Sequence, residues 1–116
     1  MIKGLDLLVE KLKELYPVFG LNIKEDEVLK NPSFFIYNDD GEIRKGEKGY
    51  FITNFYLYFF TKDDATLNQI EIIKLCRKHG LIFENTQLEY GKFNDTDVEC
   101  SMRIFTFHHL DRIGLE

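Results

Sequence analysis

A chain of 116 residues is sized for one domain, and its 44% hydrophobic and 30% charged residues exclude intrinsic disorder as the main state. The formal net charge of -5 argues against a protein that grips a nucleic-acid backbone, because that affinity comes from Lys and Arg displacing counterions. Cys76 and Cys100 have neither CxxC nor Cys/His spacing and read as reduced thiols, and no secretory signal is legible at the start.

The first segment, GLDLLVEKLKELYPVFG, spaces Leu5, Leu8, Val9, Leu12, Leu15 and Tyr16 by three and four, with Lys3, Asp6, Glu10, Lys11, Lys13 and Glu14 on the remaining arc. That pattern is an amphipathic surface helix with Leu7 on its polar side. Pro17 should stop it at Tyr16, and Phe19 should fold back onto the same apolar side.

Residues 21–32 read as a loop ending in Asn31-Pro32, and SFFIYN, 33–38, as a short strand. The stretch NDDGEIRKGEKG holds three glycines and seven charges, too polar to pack as an element. It reads as a long flexible hairpin loop over 38–49, with Asp39, Asp40, Glu42, Arg44, Lys45, Glu47 and Lys48 available to a partner. Asn38-Asp39-Asp40-Gly41 has the start of a calcium loop without its later ligands, so a turn is expected there.

The return strand is YFITNFYLYFF, 50–60, apolar on both sides. Alternation puts Phe51, Thr53, Phe55, Leu57 and Phe59 on a phenylalanine-rich face suited to a core. Tyr50, Ile52, Asn54, Tyr56, Tyr58 and Phe60 form the other face. Tyrosine is dry at the ring and wet at the hydroxyl, the composition of an interface. Tyr50, Ile52, Tyr56, Tyr58 and Phe60 are therefore candidate subunit-interface residues, unless helices of the same chain cover them.

Asp63 and Asp64 are N-cap candidates for a helix over about 64–79 that closes on Arg77, Lys78, His79 and Gly80. Its apolar residues Leu67, Ile70, Ile72, Ile73, Leu75 and Cys76 spread around the wheel and predict cover on more than one side. Strands follow at 81–90 and 98–110, joined by GKFNDTD. In the last strand Val98, Cys100, Met102 and Ile104 alternate with Glu99, Ser101 and Arg103, as a sheet with one solvated side requires, before Phe105 and Phe107 turn the polar side apolar. The expected fold is one α+β domain over 1–116: helix, two strands, helix, two strands, an antiparallel sheet with the helices packed on it.

No chemistry stands out. The glycines of GEIRKGEKG do not form a phosphate loop, Asp95, Asp97 and Glu99 read as solvated acids at a turn, and adjacent His108 and His109 point to opposite faces of a strand. No catalytic residue, metal or cofactor is expected. Asn94-Asp95-Thr96 fits a glycosylation sequon that carries no weight without secretion. The longest apolar run is too short for a membrane helix, so the reading is a soluble protein made in a reducing cytoplasm.

The helix ending ELYPVFG, the strand SFFIYND before a polar loop, the aromatic strand ending FYLYFFTKDD, the helix closing RKHGLIF and the last strand MRIFTFHHL together resemble the tail terminator family, small tail-completion proteins of siphophages infecting Gram-positive bacteria. The likeness spans nearly the whole chain in element order but holds no diagnostic motif. It implies a structural, non-enzymatic protein that forms a ring, generally a hexamer, which caps the tail tube and joins tail to head. The implied partners are further copies of itself, the tail tube protein and the head-tail connector proteins. DNA would pass through without tight binding, and the protein would reside in the virion tail after assembly in the host cytoplasm. A small ligand-binding or regulatory α+β domain, with a pocket lined by the tyrosine face, is the competing expectation.

Overall fold

The structure, a computed structural model, describes residues 4–92, 97 and 99–112. Its elements are α1 (Leu5–Lys13), β1 (Val18–Phe19), α2 (Glu25–Lys30), β2 (Ser33–Asn38), β3 (Ile43–Lys45), β4 (Tyr50–Thr61), α3 (Gln69–Lys78), β5 (Ile82–Lys92) and β6 (Glu99–Arg112). The α+β class and the two hairpins separated by a helix are as expected. The sheet itself is mixed, in the order β1-β2-β4-β6-β5, with β3 paired to β4 beside β2. β1 runs parallel to β2, which corrects the all-antiparallel expectation. Pro17 ends the helical geometry, and its carbonyl accepts from Phe35 N–H at 2.8 Å, which docks the two-residue β1 in that direction.

The centre of the sheet is the β4–β6 ladder. Phe55 opposes Phe107, Leu57 opposes Phe105, and Phe35 of β2 opposes Phe59. These rings share one face with Leu8 and Leu12 of α1 and Ile72 and Cys76 of α3, and all are buried in one cluster. Both longer helices thus cover the odd-numbered face of β4. Each such side chain contributes about 1.5–3 kcal/mol by leaving water. Phe51 does not share in this. It is 39% exposed, because it lies beyond the last buried rung, Thr53 with His109.

Several local expectations need correction. α1 stops at Lys13, so Leu15 falls in the following turn and is exposed. Phe19 does not return to the α1 side. Alternation with the core residue Val18 sends it to the opposite face, where its ring meets Phe34 at 5.9 Å. The 21–32 loop contains α2. α3 begins at Gln69, capped by Asn68 Oδ1 accepting from Glu71 N–H at 3.2 Å, rather than at Asp63 or Asp64. It packs on one side only and leaves Ile70 exposed. Its end matches the expected pattern. Gly80 has φ +89°, and Leu81 N–H reaches back to the Cys76 carbonyl at 3.1 Å, closing a Schellman turn that buries Leu81.

The polar stretch 38–49 does form an element: β3 pairs with β4, Arg44 opposite Ile52. Lys48 and Gly49, at φ 54° and 81°, make the tight reversal that lets Gly46 N–H bond the Tyr50 carbonyl at 2.8 Å. At the other end Asp40 N–H bonds the Asn38 side chain at 2.9 Å, the expected turn. Charge hid this strand because an edge strand with polar side chains on both faces satisfies its backbone without burying anything.

Candidate assembly surface

The even-numbered face of β4 is the one that α1 and α3 leave uncovered. Tyr50, Ile52, Tyr56, Tyr58 and Phe60 are all half-buried there. Pairing adds Phe34 and Ile36 of β2 on one flank and Met102, Ile104 and Thr106 of β6 on the other. The rings form a ladder along the strand: Tyr56 and Tyr58 have centroids 6.3 Å apart, Tyr58 and Phe60 6.4 Å, and Phe60 stacks on Phe34 at 5.3 Å. Phe34, Ile36, Phe19 and Ile23 gather beside the Phe60 end, on the same face, as a second, smaller core. The Phe60 flank of the face is therefore covered by the chain itself, and the ladder beyond it is half-exposed.

This reverses the expectation for β6. Cys100, Met102 and Ile104 lie on the open face, and Ser101 and Arg103 lie on the helix side. Alternation marks two faces but does not say which is covered when the neighbouring strand is apolar on both.

Polar groups hold the other end of the surface. Arg44 Nη1 donates to Asn54 Oδ1 at 2.8 Å, and Asn54 Nδ2 donates to the Tyr56 hydroxyl at 3.3 Å. The loop residue Arg44 is thereby tied to the tyrosine face. Asp39 is half-buried, and Asp40, Glu42, Lys45, Glu47 and Lys48 remain exposed. Across β6, His108 Nδ1 lies 3.0 Å from Glu84 Oε2, where a register shift between Phe83 and Asn85 bulges β5. Burial raises the Tyr58 phenol above its ordinary value, with Tyr56 adding to the effect and a hydrogen bond with Asn38 opposing it. Tyr58 is accordingly a neutral hydroxyl on an apolar ladder.

Leu21, Ile23, Tyr58, Phe60, Tyr90 and Met102 border a groove of about 470 Å³ at the Phe60 end. One rung beyond the Phe34–Phe60 pair, Ser33 Oγ, Thr61 Oγ1 and Asp63 Oδ1 form a triangle. The hydroxyls are 2.8 Å apart and each lies 2.9 Å from the carboxylate. Ala65 N–H also donates to Thr61 Oγ1 at 2.9 Å. The knot ties the start of β2 to the end of β4, which is why Asp63 is spent before α3 begins. Nothing in the spacing of these three residues announces it.

His108 and His109 do face apart, His109 buried beside Asp111 with Nδ1 to Oδ2 at 3.2 Å. His79 caps α3, its Nδ1 3.0 Å from the Leu75 carbonyl. Asp97 is exposed and 3.7 Å from Lys92 Nζ, whereas Lys3, Asn94, Asp95, Thr96 and Val98 lie outside the described residues. Cys76 is fully buried and Cys100 half-buried, both free thiols. Among the described residues no three His, Cys, Asp or Glu side chains are placed to hold a metal ion, and no helix is long and apolar enough to cross a membrane. Compared with protein-family models and with curated proteins, the chain matches none.

Proposed function

We propose that this chain is a structural subunit that assembles with copies of itself into a ring, in the tail-completion role of a phage or prophage: capping the tail tube and joining it to the head. The observation that carries the reading is the two-sided sheet. One face lies under α1 and α3, while the other presents a supported ladder of Tyr56, Tyr58 and Phe60 that no helix of those two covers. Such a contiguous aromatic surface fits contact with another protein surface. The occupant in this reading is a second copy of the chain, with the turn of the β3–β4 hairpin directed to the tail tube or connector protein. The net charge of -5 suits a ring through which DNA slides without sticking. Function in this reading needs no catalytic residue.

Native mass spectrometry and light scattering test it, at concentrations up to those at which tail proteins assemble. A ring-sized species, or capture by purified tail tubes, is the expected result. A chain that stays monomeric and ignores tail tubes would sink it. The groove beside Tyr58 and Tyr90 favours a second reading, a small ligand-binding domain. That reading predicts a thermal shift with an apolar ligand and no self-association.

A further inference from the structure

We infer that copies of this chain join head to tail through their sheet edges, the outer edge of β5 in one pairing antiparallel with the outer edge of β3 in the next. The inference rests on the self-assembly proposed above and adds to the contact on the tyrosine face a second one, at the sheet edges.

Among the described strands β5 pairs with β6 alone and β3 with β4 alone, so the sheet ends in these two edges and the short β1. β5 runs for 11 residues, long for an edge strand, and presents Leu88 and Tyr90 at 40% and 79% exposure. An exposed edge of that length with apolar side chains is a template for another strand. β3 presents Ile43 at 66% exposure beside Arg44 and Lys45.

Three features together select one register, the first two fixing its parity and the third its position. The first is backbone direction. Glu42 and Gly46 turn their polar groups toward Asn54 and Tyr50, so in the alternating ladder Ile43 and Lys45 turn theirs away from β4. Carried across β4 and β6, the same alternation turns Leu88 and Tyr90 away from β6. The second is the face. Arg44 opposes Ile52 and Glu89 opposes Met102, so both side chains belong to the open face. The third is complementarity. Setting Arg44 opposite Glu89 brings Ile43 against Tyr90 and the Lys45 stem against Leu88, pairing the charges and covering the exposed apolar side chains together.

The alternative, a two-fold β5–β5 contact, lacks this match. It would line one seam with Glu84 and Glu89 from both copies and offer only Lys92 of each as a basic residue in the strand. A two-fold contact also closes as a dimer, whereas the head-to-tail contact propagates. Arg44 lies level with Leu110, eight residues along β6 from the Met102 that Glu89 opposes. Neighbouring copies are therefore offset by roughly 26 Å along the strands, and a closed ring has its strands inclined to the axis.

A mixed cross-link tests the contact. In a Cys100→Ser background, one preparation carries Arg44→Cys and the other Glu89→Cys, a non-hydrogen-bonded pair whose β-carbons approach closely enough for a disulfide. Mild oxidation of the mixture should give a linked dimer, and neither preparation alone should. Self-linking by the Glu89→Cys chain would overturn the proposal in favour of the two-fold contact. In the cysteine-intact protein, Arg44→Glu or Glu89→Arg alone should weaken association about tenfold, and the double reversal should restore most of it. If the assembly forms at its usual size yet neither cross-links nor responds to reversal, the edge contact is wrong and the ring reading stands. If no assembly forms under any condition, both fall.

Discussion

Tyr56 and Tyr58 stack with centroids 6.3 Å apart and ring planes 21° from parallel, on the sheet face opposite the two longer helices. Their exposure is what separates an interface from a core. Tyr56→Ala and Tyr58→Ala should each weaken self-association by about 10-fold to 100-fold, the range of an interface aromatic. The dilute monomer should lose only about 1 kcal/mol, since each ring is half-solvated already. Sedimentation equilibrium gives the first quantity and chemical denaturation of the monomer the second. Losses of equal size in both would mean that the rings act within the monomer.

Gly41 is the tightest backbone approach in the β3 region. A β-carbon built there runs into the Asn54 carbonyl oxygen, a backbone atom with no freedom to give way. Gly41→Ala should therefore push the 38–42 segment from β4 at a cost of about 1–3 kcal/mol. The bond from Asn54 N–H to the Glu42 carbonyl, 3.0 Å long, should loosen with it. Hydrogen exchange at Asn54 reads this directly. Unchanged protection in Gly41→Ala would show that the approach is not a constraint.

What the sequence made legible and what it concealed follow one rule. Period two along 50–60 correctly divided Phe55, Leu57 and Phe59 from Tyr56 and Tyr58, because a strand has only two sides. It could not show that helix cover ends before Phe51, since that depends on where α1 and α3 lie across the sheet. The same blindness reversed β6, whose apolar Met102 and Ile104 flank the open face while Arg103 sits on the helix side. β3 was hidden by its charges, and β1 by having two residues. Phe34 and Ile36 were visible as strand residues, but their place beside Phe60 and Tyr58 comes from the β2–β4 register. Asp63 looked like a helix cap because capping is the local use of an aspartate, and the hydroxyls of Thr61, two residues back, and of distant Ser33 outcompeted it.

That hydroxyl knot makes a pH prediction. Hydrogen bonds from Thr61 and Ser33 hold the Asp63 carboxyl below its ordinary value of 3.8. The folded state thus binds its proton less readily than the unfolded state. The contribution is fully present above about pH 3.8 and is lost as pH falls through the lower folded value. Asp63→Asn should be less stable than the parent at neutral pH and should show a shallower loss of stability below pH 4, roughly where the free carboxyl titrates. Parallel acid-denaturation curves for the two proteins would remove the knot from the account.

The two thiols should report the two faces of the sheet separately. Burial pushes the Cys76 thiol up to about 12, on the inner side of α3 and against the phenylalanine core. Cys100, on the open face, is raised by its partial burial and pulled back by Lys62. Alkylation proceeds through the thiolate, so near pH 8 iodoacetamide should modify Cys100 slowly and Cys76 only when the helix layer opens. Mass mapping over time should show Cys76 labelling at the rate of global unfolding. Self-assembly should slow the labelling of Cys100 while leaving that of Cys76 tied to unfolding, because only Cys100 shares the face that a second copy covers. Equal protection of Cys100 in the dilute and the associated protein would take the second copy off the tyrosine face and leave only contacts elsewhere on the molecule.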